Sequence, residues 1–323
     1  MRPCRVLITD HDFPDIDLEL ALYREAGIEV VTGQCRTAAD VIAASLDCNA
    51  LLVQYAEVNE AVFVARPDIR IASRYGAGFD TIDSAAAARH GVWVANSPDY
   101  GVGEVATHAL AMTLDLLRHI TIYDRAVKSG QWHYTTGGVI RRIGDLTVGV
   151  LGLGRIGKRF AHVARDCFAR VIAHDPYLID GDFPAYVERV DLEALFERAD
   201  VVSVHTPLNT ETRGMVNGPL LQRMKTGSLL VNCARGAVVD TGALLAALQS
   251  GHLDGAGLDV LPVEPPVVND PLVNHPRVIV SPHAAFYSVA GEIELRRKAA
   301  QNIIDWARSG RPTYAVNRID SGK

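Results

Sequence analysis

The chain has 323 residues, 48% of them hydrophobic and 22% charged, with a formal charge of −6, which suits two domains with sizeable cores. The mild charge, with no basic stripe interleaved with aromatics, argues against nucleic acid; no apolar run is long enough to span a bilayer, and Arg5–Thr9 already reads as a strand, leaving no room for a secretory leader. Five cysteines (Cys4, Cys35, Cys48, Cys167 and Cys233) show neither CxxC nor Cys/His metal spacing, so they read as reduced thiols, no metal is assigned, and the cytoplasm is the expected setting.

Along the chain, short β-rich runs alternate with helical patterns, the signature of parallel sheets covered on both faces. The first set of strands comprises CRVLITD, IEVV, ALLVQ, IRIAS and VWVA, with helical stretches such as 16–26 and 38–45 between them. Asn96-Ser97-Pro98-Asp99 then ends a strand and caps a long apolar helix over 103–118. Residues 123–142, with Trp132, His133 and Tyr134, have weak periodicity and read as an arm reaching a partner subunit, within a dimerisation segment 119–145. The second set of strands begins at Thr147 and continues through RVIAHD, VVSVH, SLLVN, GAGLDV and VIVS. A charged amphipathic helix, 292–307, is all that remains after the last strand, so it is expected to return to the first domain. The predicted fold is α/β: two doubly wound parallel-sheet domains, a discontinuous one over 1–98 and 288–323 and a central one over 99–287. Two chain crossings, near Pro98 and Pro282, make a hinge, and closure around a ligand is expected.

The central domain opens on VGVLGLGRIGKRF. Thr147–Leu151 has no room for charge and reads as a buried parallel strand running into Gly152, Gly154 and Gly157. The first glycine permits a tight turn, the second lets backbone approach a pyrophosphate, and the third lets helix pack against strand. N–H groups at the helix start, around Arg155 and Ile156, and the helix dipole then face the diphosphate. Roughly twenty residues on, as a dinucleotide fingerprint requires, RVIAHD ends in Asp175. A carboxylate there accepts hydrogen bonds from ribose hydroxyls and repels a 2′-phosphate, so NAD is favoured over NADP; the competing reading is a surface aspartate capping the turn before Pro176.

Open α/β sheets bind ligands beyond the carboxyl ends of their strands. SLLVNCARG places Arg235 just past a strand, GLDVLPVEPP places Glu264 past the next, and VIVSPH places His283 past the last. His205-Thr206-Pro207, Cys233 and Asp259 sit at comparable strand ends and would line the rest of the groove. Arg235 alone could be a surface arginine, Glu264 an ordinary loop carboxylate, and His283 is one of eleven histidines. As a set they supply what keto/hydroxy-acid hydride transfer needs: a guanidinium for carboxylate or carbonyl, an imidazole for the proton, and a carboxylate to keep that imidazole protonated.

The order of glycine turn, Asp175, CARG with Arg235, Glu264 before a proline pair, and PH with His283 resembles the D-isomer-specific 2-hydroxyacid dehydrogenases. SRYGAGFDTID, NSPDYGVGEVATHALAM and PHAAFYS resemble further segments of that family, so the likeness covers essentially the whole chain. VEPP and PHAAFYS look most similar to the branch containing the C-terminal-binding-protein corepressors and their bacterial relatives, although Phe286 stands where that branch has tryptophan. The resemblance implies a cytoplasmic homodimer with a central Rossmann NAD domain and a split, flavodoxin-like substrate domain. It implies that Arg235 binds the substrate carboxylate and carbonyl oxygen, that His283 protonates that oxygen, and that Glu264 hydrogen-bonds the imidazole. It further implies that the amides of Ala77 and Gly78 anchor the carboxylate, that Thr107 faces the nicotinamide, and that Ala234 and Ala285 line the cofactor groove.

The pocket is expected to draw on Tyr55 and Phe286, aromatics that limit it to small 2-keto acids such as glyoxylate, hydroxypyruvate or pyruvate. Three other readings stand beside this one: an NADH-sensing regulatory protein on the same fold, a phosphonate or phosphoglycerate dehydrogenase-like activity, and a methyltransferase binding an adenosyl ligand. The last leaves the Arg235, Glu264 and His283 set unexplained.

Overall fold

The structure is a computed structural model describing residues 4–319. Its chain divides into two compact units: one takes the chain up to Tyr100 and resumes at Ser288, and the other runs Gly101–Tyr287.

The first unit alternates β1 (Arg5–Ile8), α1 (Asp17–Ala26), β2 (Glu29–Thr32), α2 (Ala38–Ala44), β3 (Ala50–Val53), α3 (Glu60–Ala65), β4 (Ile71–Arg74), α4 (Ser84–Arg89) and β5 (Trp93–Ala95). All strand pairs are parallel and the order is β2-β1-β3-β4-β5, the flavodoxin-like winding whose direction reverses between β1 and β3. Central β3 reads ALLV because every one of its positions is buried.

The second unit begins with α5 (Val102–Arg118) and α6 (Ile120–Lys128). It continues with β6 (Thr147–Leu151), α7 (Arg155–Ala164), β7 (Arg170–His174), β8 (Val187–Arg189), α8 (Leu192–Arg198), β9 (Val201–Val204), α9 (Gly218–Arg223), β10 (Ser228–Asn232), α10 (Thr241–Gln249), β11 (Leu253–Leu258) and β12 (Val278–Val280). Its seven parallel strands run β12-β11-β10-β9-β6-β7-β8, a Rossmann winding that reverses between β6 and β9. The apolar core lies on both faces of this sheet, as its uninterrupted Val/Leu strands require. The final helix, α11 (Val289–Ser309), packs on α1 and β4 of the first unit.

Two elements differ from the reading of the sequence. Residues 120–128, expected as part of an aperiodic arm, form α6, a helix with no buried residue in this chain. Edge strand β8 was not anticipated, because only Val187 of its three residues is buried and no apolar run announces it.

Candidate active site

The glycine turn sits at the point where the second sheet reverses its winding. Gly152 has φ +89°, and a β-carbon there would stand 2.9 Å from Thr206 Oγ1 and 3.0 Å from the His205 carbonyl. A β-carbon at Gly157 would stand 2.0 Å from the Gly152 oxygen, so α7 packs directly on the turn. Gly154 has open space where its β-carbon would be, and it begins α7 with no side chain capping the first N–H groups. Two glycines therefore permit close packing, while the middle one leaves an uncapped helix start accessible to an anion. Arg155 is exposed and Ile156 half-buried at that start. Asp175, one residue past β7, ties itself to the turn: Oδ2 accepts from Leu153 N at 2.8 Å and Oδ1 from Tyr177 N at 3.0 Å. This frame fits the diphosphate and ribose of NAD.

On the other side of the reversal, Thr206 Oγ1 donates to the Leu151 carbonyl at 3.1 Å, and the Pro207 carbonyl accepts from Thr212 Oγ1 at 2.6 Å. Two expected groove-lining side chains point elsewhere. The His205 ring pairs with Ser203 Oγ at 2.9 Å, lies 5.0 Å from the Phe160 ring, and has a buried, unpartnered Nδ1. Desolvation pushes its pKa down to about 3, so the ring is neutral. Cys233 is buried with its Sγ 4.0 Å from Met112 Sδ, and burial pushes its thiol far up. Both side chains serve the interior, leaving only their backbone for a ligand.

The three strand ends past β10, β11 and β12 carry Arg235, Glu264 and His283. Asn232 staples the first loop, accepting from Ala234 N at 3.0 Å and donating to the Arg235 carbonyl at 3.0 Å. Arg235 Nη1 donates to the Ala234 carbonyl at 2.8 Å. In the second loop, Glu264 Oε1 accepts from Leu261 N at 2.8 Å, which aims Oε2 at His283 Nδ1, 2.7 Å away. Burial pushes the Glu264 carboxyl up, but the His283 hydrogen bond and charge, the Leu261 amide and the Arg235 charge together outweigh it and leave the group below the usual carboxylate range. In the third loop, His283 has φ +52° and its ring meets Phe286 edge-on at 6.4 Å.

Asp259, expected along the cofactor groove, is buried, and its carboxylate accepts from Ser281 Oγ, Ala284 N and Ala285 N. Ser281 is in turn 2.9 Å from His108 Nε2 on α5. Asn232, Ser281 and His108 are site residues that sequence reasoning did not single out. Asn232 closes the SLLVN strand and was legible as a turn residue; nothing local distinguishes His108 from ten other histidines. Thr107 is exposed on α5, its hydroxyl donating back to the Gly103 and Glu104 carbonyls.

In the first unit the expected substrate residues lie past β3 and β4. Buried Asp10 gathers the amides of Gln54, Tyr55 and Ala56, and Tyr55 Oη donates to Asp12 Oδ2 at 3.1 Å. Desolvation, reinforced by Asp12, pushes the Tyr55 phenol up to about 12. The Ala77 carbonyl accepts from Asn96 Nδ2 at 2.6 Å, Gly78 is half-buried, and the Arg74 guanidinium lies across Gly76, where a β-carbon would stand 1.4 Å from Nη1.

Residues 110–285 match a family model described as D-isomer specific 2-hydroxyacid dehydrogenase, NAD binding domain. A D-3-phosphoglycerate dehydrogenase of Bacillus subtilis is 38% identical over 83% of this chain, which corresponds to only 51% of that relative's length. A glyoxylate reductase of Korarchaeum cryptofilum is 36% identical over 84% of this chain and 83% of its own. Among solved structures, an NADPH-dependent glyoxylate/hydroxypyruvate reductase from Sinorhizobium meliloti, in complex with NADP and malonate, superposes with a TM-score of 0.87 at 29% identity, covering 98% of this chain and 97% of that one. Nothing in these relatives singles out the corepressor branch.

Proposed function

The chain belongs to the D-isomer-specific 2-hydroxyacid dehydrogenases, and from that premise we propose that it reduces a small 2-keto acid to the D-2-hydroxy acid with NADH. Glyoxylate, hydroxypyruvate and pyruvate are the substrates of the expected size. The observation that carries the reading is the 2.7 Å contact of His283 Nδ1 with Glu264 Oε2, at strand ends that also bear Arg235.

The cofactor, when bound, supplies the hydride. Gly152, Gly154, Arg155, Ile156, Gly157 and Asp175 would hold its diphosphate and ribose, with Thr107, Thr206, Pro207, Ala234, Asp259 and Ala285 assigned to the rest of the groove. Because Nδ1 of His283 is held by Glu264, Nε2 is the nitrogen that hands a proton to the substrate oxygen. Glu264, fixed in turn by the Leu261 amide, holds the ring at one angle. Arg235 would take the carboxylate and the carbonyl oxygen through charge-assisted hydrogen bonds, stabilising the negative charge that grows there. Tyr55, Phe286 and the amides of Ala77 and Gly78 complete the substrate assignment.

The same reading makes the enzyme a homodimer built on 119–145, where Trp132 and Val139 are each 86% exposed and Tyr134 is 80% exposed, an apolar surface that a second copy would cover. It also places the enzyme in the cytoplasm, a compartment that suits five free cysteines.

NADH consumption measured over glyoxylate, hydroxypyruvate, pyruvate and 3-phosphohydroxypyruvate tests the proposal. Turnover is expected with at least one of the three unphosphorylated acids. NADH binding seen by fluorescence, with no turnover on any acid, would instead make this a cofactor sensor.

A further inference from the structure

The geometry points to His108 and Ser281 as positioning residues for His283, acting through Asp259. The inference rests on the proposed reading of His283 as proton donor and adds what holds that histidine in place.

His283 has φ +52°, in the left-handed region that a non-glycine residue keeps only when its surroundings enforce it. Most of the enforcement comes from one residue, Asp259, with the Ser281 main-chain oxygen also accepting from His283 N at 3.0 Å. The Asp259 main-chain oxygen accepts from His283 N at 2.8 Å. Its Oδ1 accepts from Ala284 N at 2.8 Å and its Oδ2 from Ala285 N at 3.0 Å. Asp259 thus grips three consecutive amides of the turn that carries the imidazole.

A carboxylate whose side chain is 1% exposed needs donors on both oxygens to stay charged and oriented. Ser281 Oγ provides one, 2.5 Å from Oδ1. A hydroxyl has a single proton, and once that proton faces Asp259 the serine oxygen can only accept from its other neighbour. That neighbour is His108 Nε2, at 2.9 Å, so Nε2 of His108 carries a hydrogen and donates. The same Nε2 is 3.8 Å from Asp259 Oδ1. The result is a directed chain from α5 through the end of β12 to the turn: His108 orients Ser281, Ser281 orients Asp259, and Asp259 holds His283.

Four variants test this: Ser281→Ala, His108→Leu, His108→Gln and the double Ser281→Ala/His108→Leu. The first readout is the imidazole ¹⁵N spectrum of the cofactor-free protein, with the His283 resonances assigned by their loss in His283→Gln. Ser281→Ala and His108→Leu should shift those resonances in the same direction, the double variant should shift them no further, and His108→Gln, whose amide N–H can still donate, should restore them. The second readout is steady-state kinetics, where kcat should fall ~10- to ~100-fold, more than KM rises, with the same non-additivity. Variants that melt as the parent does yet keep the His283 resonances and kcat overturn the inference, and so do independent, additive effects of the two sites. Should Ser281→Ala not fold, the His108→Leu and His108→Gln pair decides alone. If the parent enzyme reduces no keto acid, the functional reading fails while the spectroscopic arm still judges the brace.

Discussion

Gly236 lies backbone to backbone against Leu261: a β-carbon on it would stand 2.0 Å from the Leu261 carbonyl carbon. The loop that starts at Arg235 and the loop that ends at Glu264 are therefore in contact because position 236 has no side chain. Gly236→Ala must push them apart. A displacement near 1 Å at a reacting group costs ~100-fold, and overpacking costs roughly 1–3 kcal/mol. We expect kcat/KM to fall by about that factor and the urea midpoint to drop; an alanine variant with parental kinetics would show that the loops yield freely.

Asp175, proposed to hold the ribose, also serves the glycine turn. Its Oδ2 holds the Leu153 amide, so removing the carboxylate both admits a 2′-phosphate and loosens the turn. Asp175→Ala should weaken NADH binding by ~10-fold, about the value of one charged hydrogen bond, and raise the NADPH-to-NADH preference. Fluorescence titration with each cofactor measures both. NADPH preference unchanged from the parent would remove Asp175 from cofactor selection.

His205 sets a dependence of stability on pH. Its pKa is depressed to about 3 in the folded protein, against about 6.5 in an unfolded chain. Below pH ~6.5 the unfolded chain takes up a proton that the folded one refuses, so stability declines as pH falls towards 3, by at most about 1.4 kcal/mol per pH unit. Urea unfolding of the parent and of His205→Asn between pH 7 and pH 4 checks the sign. The variant should show the shallower slope; equal slopes would mean the ring is solvated.

Arg296 is 5% exposed and Glu19 0%, with Nη2 2.8 Å from Oε2, and Tyr75 Oη donates to the other Glu19 oxygen. Arg296→Leu leaves a buried carboxylate without its cation, at a cost of roughly 3–5 kcal/mol. Glu19→Leu/Arg296→Leu, which removes both charges, should recover most of that loss. Urea denaturation compares the two; a double variant as unstable as the single one would locate the effect in packing.

The windings were readable because both sheets are built from strands such as SLLVN, buried at all five positions, with helical patterns between them. Strands of that kind cannot be mistaken for surface. Helix α6 was not readable because none of its residues is buried within this chain. Position past a strand end was enough to single out Arg235, Glu264 and His283 as candidates, but not to say where a side chain points. Regular alternation stops where the strand does, so His205 and Cys233 turned inward against the expectation of a groove lining. Asp259 was found by its position, while its grip on the 281–285 turn depends on a loop that the sequence places more than twenty residues away. His108 belongs to a contact between α5 and the end of β12 separated by 173 positions, and no local pattern encodes it.

Glu264 and His283 make separable predictions. His283→Ala removes the proposed proton donor, and general-acid catalysis of this kind is worth ~10²–10⁴-fold, so kcat should fall within that range while NADH affinity holds. Parental turnover in that variant would remove His283 from the chemistry. Glu264 is held below its ordinary carboxylate range by His283, the Leu261 amide and Arg235 acting against burial. A carboxyl depressed in the folded state contributes stability above its unfolded pKa of about 4.3 and loses it as pH falls through the lower folded value. The stability gap between the parent and Glu264→Gln should therefore close as the solution is acidified from pH 5 towards pH 3. Denaturant melts across that range read it directly, and a gap that widens towards acid would mean that Glu264 is protonated, not ionised, beside the imidazole.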